Sequence, residues 1–180
     1  MKKQDRMTKD YYDHAQILYD LFWSKKALHY GFWNKDTKKL KEAIENANKF
    51  VAKLLKPKKD DKILDTGCGV GGSCLFFAKN FKSKVTGIGL SEVQLKKAKK
   101  YAKDENLDNL LNFKKMNFNN TDFKDKSFDK VFAIEGACYA ENKYDFLKEM
   151  YRILKPNGKI VVVDGFLKKR KACRQASMSL

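Results

Sequence analysis

Apolar and polar positions along the chain alternate between helical and strand-like periods. Ile17, Leu18, Leu21 and Phe22 have helical spacing and predict a short amphipathic helix within an unusually aromatic stretch, residues 10–36. Leu40, Ala43, Ile44, Ala47, Phe50, Val51, Leu54 and Leu55 recur at three and four. That spacing predicts a helix with one buried face, capped by Asp36 or Thr37 and ended by Pro57. Ile63 and Leu64 form a short strand, and Leu75, Phe76 and Phe77 open another helix. Residues 85–90 read as a second strand, and Ser91 is a good N-cap for a helix carrying Val93, Leu95, Ala98 and Ala102. Leu111, Phe113 and Met116 suggest a third strand, and residues 127–135 a fourth that ends in the carboxylate of Glu135. A helix over 144–154 and a turn at 155–158 lead into a nearly continuous apolar run at 159–166, as expected of a parallel strand covered on both faces. Five such alternations predict an α/β fold with a mostly parallel sheet.

Composition changes this picture little. At 180 residues the chain is one domain, and 43% hydrophobic residues suffice for a core. The net charge of +17 is large, yet only Arg6, Arg152, Arg170 and Arg174 among the 39 basic residues are arginine. Bidentate readers of phosphates and bases favour arginine, so no specific nucleic-acid partner is expected. The lysines read as solvated faces, with a peripheral contact to anionic membrane left open. No apolar run approaches the ~18 residues of a membrane span, and residues 1–10 do not resemble a secretory leader. Cys68, Cys74, Cys138 and Cys173, with His14 and His29, lack paired ligand spacing, so neither a metal site nor a disulfide framework is expected. A reduced, cytoplasmic protein follows.

The chemistry concentrates at residues 62–74. Ile63 and Leu64 lead to Asp65, and Gly67, Gly69, Gly71 and Gly72 then open the next helix. Gly67, Gly69 and Gly72 satisfy the dinucleotide fingerprint G-x-G-x-x-G, while Asp65, Gly67, Gly69 and Gly71 satisfy D-x-G-x-G-x-G. Asp65 tips the choice, because a pyrophosphate would be repelled there and a ligand ammonium would not. The second pattern resembles the first motif of the class I S-adenosylmethionine-dependent methyltransferases, whose fold is Rossmann-like. The segment His29-Tyr30-Gly31-Phe32-Trp33 is similar to one in the sterol, tocopherol and cyclopropane-fatty-acid branch, where it implies an aromatic residue, here Tyr30, near the methionyl end of the cofactor. Gly89 stands where an acid ordinarily holds ribose hydroxyls. The same branch lacks that acid and places a glutamine one turn on, which implies Gln94 for ribose. The resemblance likewise implies Asn117 and Phe118 for adenine, with Asn117 replacing the usual acid. After the fourth strand the family often has a histidine where this chain has Tyr139, and Glu135 is the candidate on the acceptor side.

These readings divide the chain into an aromatic N-terminal cover (1–36), a cofactor-binding core (37–166) and a basic polar tail (167–180). The implied activity is methyl transfer from S-adenosylmethionine to a small-molecule or lipid acceptor. A non-catalytic cofactor-binding remnant and a nicotinamide-dependent oxidoreductase are the alternatives. Such sheets ordinarily carry seven strands, and five are legible, so the sequence reads as a truncated form. The edge of strand five would then favour self-association.

Overall fold

The computed structural model describes residues 3–165. The expected basic tail therefore lies outside the described residues. The elements are α1 (Lys3–Phe22), α2 (Leu40–Leu55), β1 (Lys62–Thr66), α3 (Gly72–Phe81), β2 (Lys84–Gly89), α4 (Glu92–Asp104), β3 (Leu111–Lys115), β4 (Phe128–Ile134), α5 (Lys143–Ile153) and β5 (Leu154–Val163). A single turn of 3-10 helix, Ala137–Tyr139, follows β4. The five strands form one parallel sheet in the order β3-β2-β1-β4-β5.

Alternation along the strands divides the core into two layers. Ile63 and Phe132 point to the layer filled by Val51 and Leu55 of α2, Phe77 of α3 and Ala98 of α4. Their neighbours Leu64 and Val131 point the other way, onto Phe146, Met150 and Ile153 of α5. Phe77 stacks on Phe132 at 4.7 Å between centroids, fixing α3 over the sheet. From β1 the chain builds outward through β2 to β3, then returns to the opposite side of β1 as β4. That reversal opens a crevice at the carboxyl ends of β1 and β4, the usual ligand position in such sheets.

Several boundaries differ from the sequence expectation for local reasons. Neither Asp36 nor Thr37 caps α2, because Asn34 N–H donates to Thr37 Oγ1 (3.1 Å) and Asp36 N–H to Asn34 Oδ1 (2.9 Å) in a turn of their own. Lys39 is the N-cap instead, and the Glu42 carboxylate accepts from the N–H of Lys38 at 2.8 Å and of Lys39 at 3.2 Å. Met116 falls beyond β3. The expected turn at 155–158 lies inside the span of β5. Phe128 pairs with Leu154 but Lys130 with Lys159, so those residues bulge out of register. The apolar stretch of β5 is only half-buried, since β5 is the sheet edge among the described residues.

The first helix departs furthest. It runs twenty residues, and its apolar stripe faces outward, with Ile17 68%, Leu18 60%, Leu21 69% and Phe22 79% exposed. Its inward face is polar. Ser91 Oγ donates to Asp13, Gln94 Nε2 to Gln16 Oε1 (3.0 Å) and Lys97 to Asp20, one α4 residue per turn against one α1 residue per turn.

Candidate functional site

A cavity of about 640 Å³ occupies the crevice. Its lower wall is the β1–α3 loop. Gly69 adopts φ +50, and a Cβ there would project toward the cavity, 3.5 Å from Leu28 Cδ1 and 3.9 Å from Gln94 Oε1. A bare backbone at this point lets a ligand approach the N–H groups that open α3. Gly72 is required for a different reason. A Cβ on it would stand 1.7 Å from the Lys26 carbonyl oxygen, because the segment after α1 lies directly on the start of α3. Gly67 reaches the cavity, whereas Gly71 packs against Ala98 and Phe113 and supports the loop from behind.

Asp65, one residue before the end of β1, is almost wholly buried, with Cys74 Sγ–H donating to it at 3.2 Å. Burial pushes its carboxyl up to about 7, opposed by the Cys74 hydrogen bond. An acid so placed is poised to ionise fully when a cation arrives beside it. Gln94 lies in the first turn of α4, 6% exposed rather than on the surface, and borders the cavity. Its Nε2 is committed to Gln16, so its Oε1 is the atom turned toward Gly69. Asn117, just past β3, accepts from Asn119 N–H at 2.8 Å and donates to Asp5 Oδ2 at 2.8 Å. Phe118 beside it is held edge-on to Phe146 at 5.3 Å.

Across the crevice, Glu135 follows β4 at φ +52, a left-handed conformation that non-glycine residues seldom adopt. The conformation aims its carboxylate at the N-terminal segment, where it accepts the Tyr30 N–H with Oε1 at 3.0 Å and Oε2 at 3.2 Å. Burial raises the Glu135 pKa, the Tyr30 hydrogen bond lowers it, and the nearby Asp164 charge raises it further. Tyr30 keeps an exposed ring edge-on to Trp23 at 5.3 Å. Beyond it Tyr12 and Tyr139 meet hydroxyl to hydroxyl at 2.8 Å, and burial raises both phenol pKa values. The cavity thus joins the residues expected at the site except Gly71, with tyrosines and Trp23 lining its far side.

Sequence reasoning assigned no individual role to three residues of this wall, Asp5, Tyr12 and His29. Asp5 and Tyr12 sit on α1, with Gln16 behind Gln94, and the inward face of that helix is polar and so escapes a search for apolar stripes. His29 is 8% exposed on the cavity wall, and neither ring nitrogen has a hydrogen-bond partner among the described residues. Burial lowers its pKa to about 4, so the ring is neutral. Unpaired buried nitrogens cost about 1–3 kcal/mol each, which a polar ligand would recover. With the open glycine cradle and the buried acid, this fits S-adenosylmethionine.

Residues 64–162, more than half the chain, match the family described as "Methyltransferase domain". The cycloartenol-C-24-methyltransferase of Arabidopsis thaliana is 35% identical over 150 residues, covering 83% of this chain and 44% of that enzyme. The chain thus spans less than half the length of this curated relative. Among solved structures, the [4+2]-cyclase SpnF superposes with a TM-score of 0.82 at 24% identity, over 89% of this chain and 60% of that one. Geranyl diphosphate C-methyltransferase from Streptomyces coelicolor A3(2), solved with Mg2+, geranyl diphosphate and S-adenosyl-L-homocysteine, gives 0.78 at 22% identity, over 89% and 64%. These two structures share the fold. With the family match over the strands that build the cradle, the chain belongs to the methyltransferase domain family, as a class I S-adenosylmethionine-dependent core.

Proposed function

We propose that this protein transfers a methyl group from S-adenosylmethionine to a small-molecule or lipid acceptor. The observation that carries the proposal is one cavity shared by the glycine cradle, Gln94, Asn117 and Phe118 on one side and Glu135 with Tyr12 and Tyr139 on the other. When bound, S-adenosylmethionine supplies a methyl group on a sulfonium, which passes to a nucleophile in one in-line displacement that leaves a neutral thioether. Asp65 answers the methionyl ammonium, and the backbone around Gly67 and Gly69 receives the methionyl part, with Gly71 bracing the loop. Gln94 takes the ribose, Asn117 and Phe118 the adenine, and Tyr30 stands at the methionyl end. Holding donor and acceptor aligned can contribute about 7–11 kcal/mol, so no covalent residue is needed. Glu135, with its raised pKa, accepts a proton from the acceptor. The aromatic wall offers π faces to a cationic or apolar acceptor.

A lipid acceptor is favoured by the outward stripe of Ile17, Leu18, Leu21 and Phe22, next to the cavity mouth at Tyr11 and Trp23. Such a stripe, followed by Lys25 and Lys26, suits peripheral contact with an anionic membrane. No helix among the described residues is long and apolar enough to cross one. A reduced, cytoplasmic setting is part of this proposal. Self-association through the β5 edge belongs to the same proposal, with light scattering as its check.

The test is calorimetric titration with S-adenosylhomocysteine and NADH, then a screen of lipids, phenols and amines with methyl-labelled donor. Binding of S-adenosylhomocysteine alone and label in one acceptor class are expected. NADH binding would favour the oxidoreductase reading. S-adenosylhomocysteine binding with no transfer to any class would favour the non-catalytic one.

A further inference from the structure

Two strand ends that ordinarily present carboxylates to a nucleoside lack them. β2 ends at Gly89 and β3 is followed by Asn117. Both ends lie beneath α1. Asp5 Oδ2 accepts from Asn117 Nδ2 at 2.8 Å, and its Oδ1 has no hydrogen bond among the described residues. Asp5 also borders the cavity. Gln16, 1% exposed, accepts from Gln94 Nε2 at 3.0 Å and donates its own Nε2 to Asp20 Oδ1 at 3.0 Å, so the orientation of both amides is set. With one N–H held by Gln16, the Gln94 amide is fixed with its oxygen toward the cradle, which makes it an acceptor there, as a carboxylate would be.

The sheet order says where a bound nucleoside runs. A ligand whose sulfonium end lies at the β1–β4 crevice and whose ribose lies over the end of β2 must carry its base onward to the end of β3. We infer that α1 supplies the missing recognition groups. Asp5 is the specificity residue that accepts from the 6-amino group of adenine, and Gln16 is a positioning residue that turns Gln94 Oε1 to the ribose hydroxyls. The inference rests on the cofactor reading above and assigns the N-terminal helix to nucleoside recognition, not only to covering the cavity. It also explains the reversed amphipathicity of α1. Its inward face is polar because it faces a polar ligand and the polar start of α4.

The test compares three ligands by calorimetry: S-adenosylhomocysteine, S-inosylhomocysteine, which lacks the 6-amino group, and 2′-deoxy-S-adenosylhomocysteine. Wild type should prefer the first over both others. Asp5→Ala should weaken S-adenosylhomocysteine about tenfold while changing S-inosylhomocysteine less than about twofold, because a hydrogen bond to a charged acceptor is lost only for the first. Gln16→Met should weaken S-adenosylhomocysteine about fivefold and reduce its preference over the 2′-deoxy ligand. A purely structural role for Gln16 would weaken both ligands equally. Asp5 is only partly buried, so its variant keeps the fold and decides the question even if Gln16→Met does not. Wild-type discrimination retained in Asp5→Ala would overturn the inference while leaving the cofactor reading intact. No binding by wild type would instead overturn the cofactor reading.

Discussion

The two walls of the cavity are built on opposite principles. The β1–α3 wall is backbone: a buried strand, a loop through Gly67, Gly69 and Gly71, and a helix that starts at Gly72, all within twenty residues of sequence. The α1 wall is side chain: Asp5, Asp13, Gln16 and Asp20 reach partners at Asn117, Ser91, Gln94 and Lys97, each more than seventy positions away. The first wall is rigid because Gly71 and Gly72 leave no room for a Cβ, and Gly67 and Gly69 hold positive φ angles that side chains rarely adopt. The second is held by polar pairs that water can replace, and opening it exposes no large apolar surface. On the proposal above, one wall sets whether the cofactor binds, and the other sets how selectively.

Breaking the backbone wall should give the largest effect. Gly69→Arg puts a long side chain into the cradle and a Cβ on a residue at φ +50. S-adenosylhomocysteine affinity should fall more than about a hundredfold, with far-UV circular dichroism near wild type. Unchanged affinity would remove this loop from the site. Next in size, Glu135→Gln should lower kcat more than about tenfold with little change in cofactor affinity. Equal turnover would make Glu135 a structural tether for Tyr30 and nothing more.

Asp65 sharpens the comparison through pH. Burial holds its carboxyl at about 7 in the fold against an ordinary value of 3.8, so between those limits the folded protein binds more protons than the unfolded chain. Stability of the ligand-free protein should therefore fall as pH rises from about 4 to about 7, then level off. S-adenosylhomocysteine binding should tighten across the upper part of the same window, as the carboxylate forms to meet the ammonium. Asp65→Asn should flatten both profiles. The smallest effect belongs to His29. His29→Phe removes two unpaired buried nitrogens, and should raise ligand-free stability by about 1 kcal/mol while weakening ligand binding a few-fold. A variant that is less stable, with ligand affinity unchanged, would show that the ring is only a packing element.

The same contrast explains what could be read from the sequence. The glycine loop, Asp65, the five strands and the Ser91 cap are local, and each leaves a signature within a few residues. Gln94 was legible only through resemblance, since its neighbours say nothing of a partner at Gln16. The outward apolar stripe of α1 was invisible because periodicity gives an amphipathic helix but not which face turns inward. The N-cap of α2 shifted from Asp36 or Thr37 to Lys39 because the side chains of Asn34 and Thr37 closed a turn with each other and with the Asn34 and Asp36 N–H groups first. His29 was legible only as part of the aromatic cover segment, with no role of its own. Its interest arises from burial without a partner, a property of the folded chain alone.

The central claim is that one cavity holds a nucleoside donor between these two walls. Calorimetric titration of the wild-type protein with S-adenosylhomocysteine near pH 8, where Asp65 is ionised, tests it most directly. Saturable one-to-one binding, abolished by Gly69→Arg and weakened by Asp5→Ala, is the predicted result. Absence of binding, or binding that both variants leave unchanged, would contradict it.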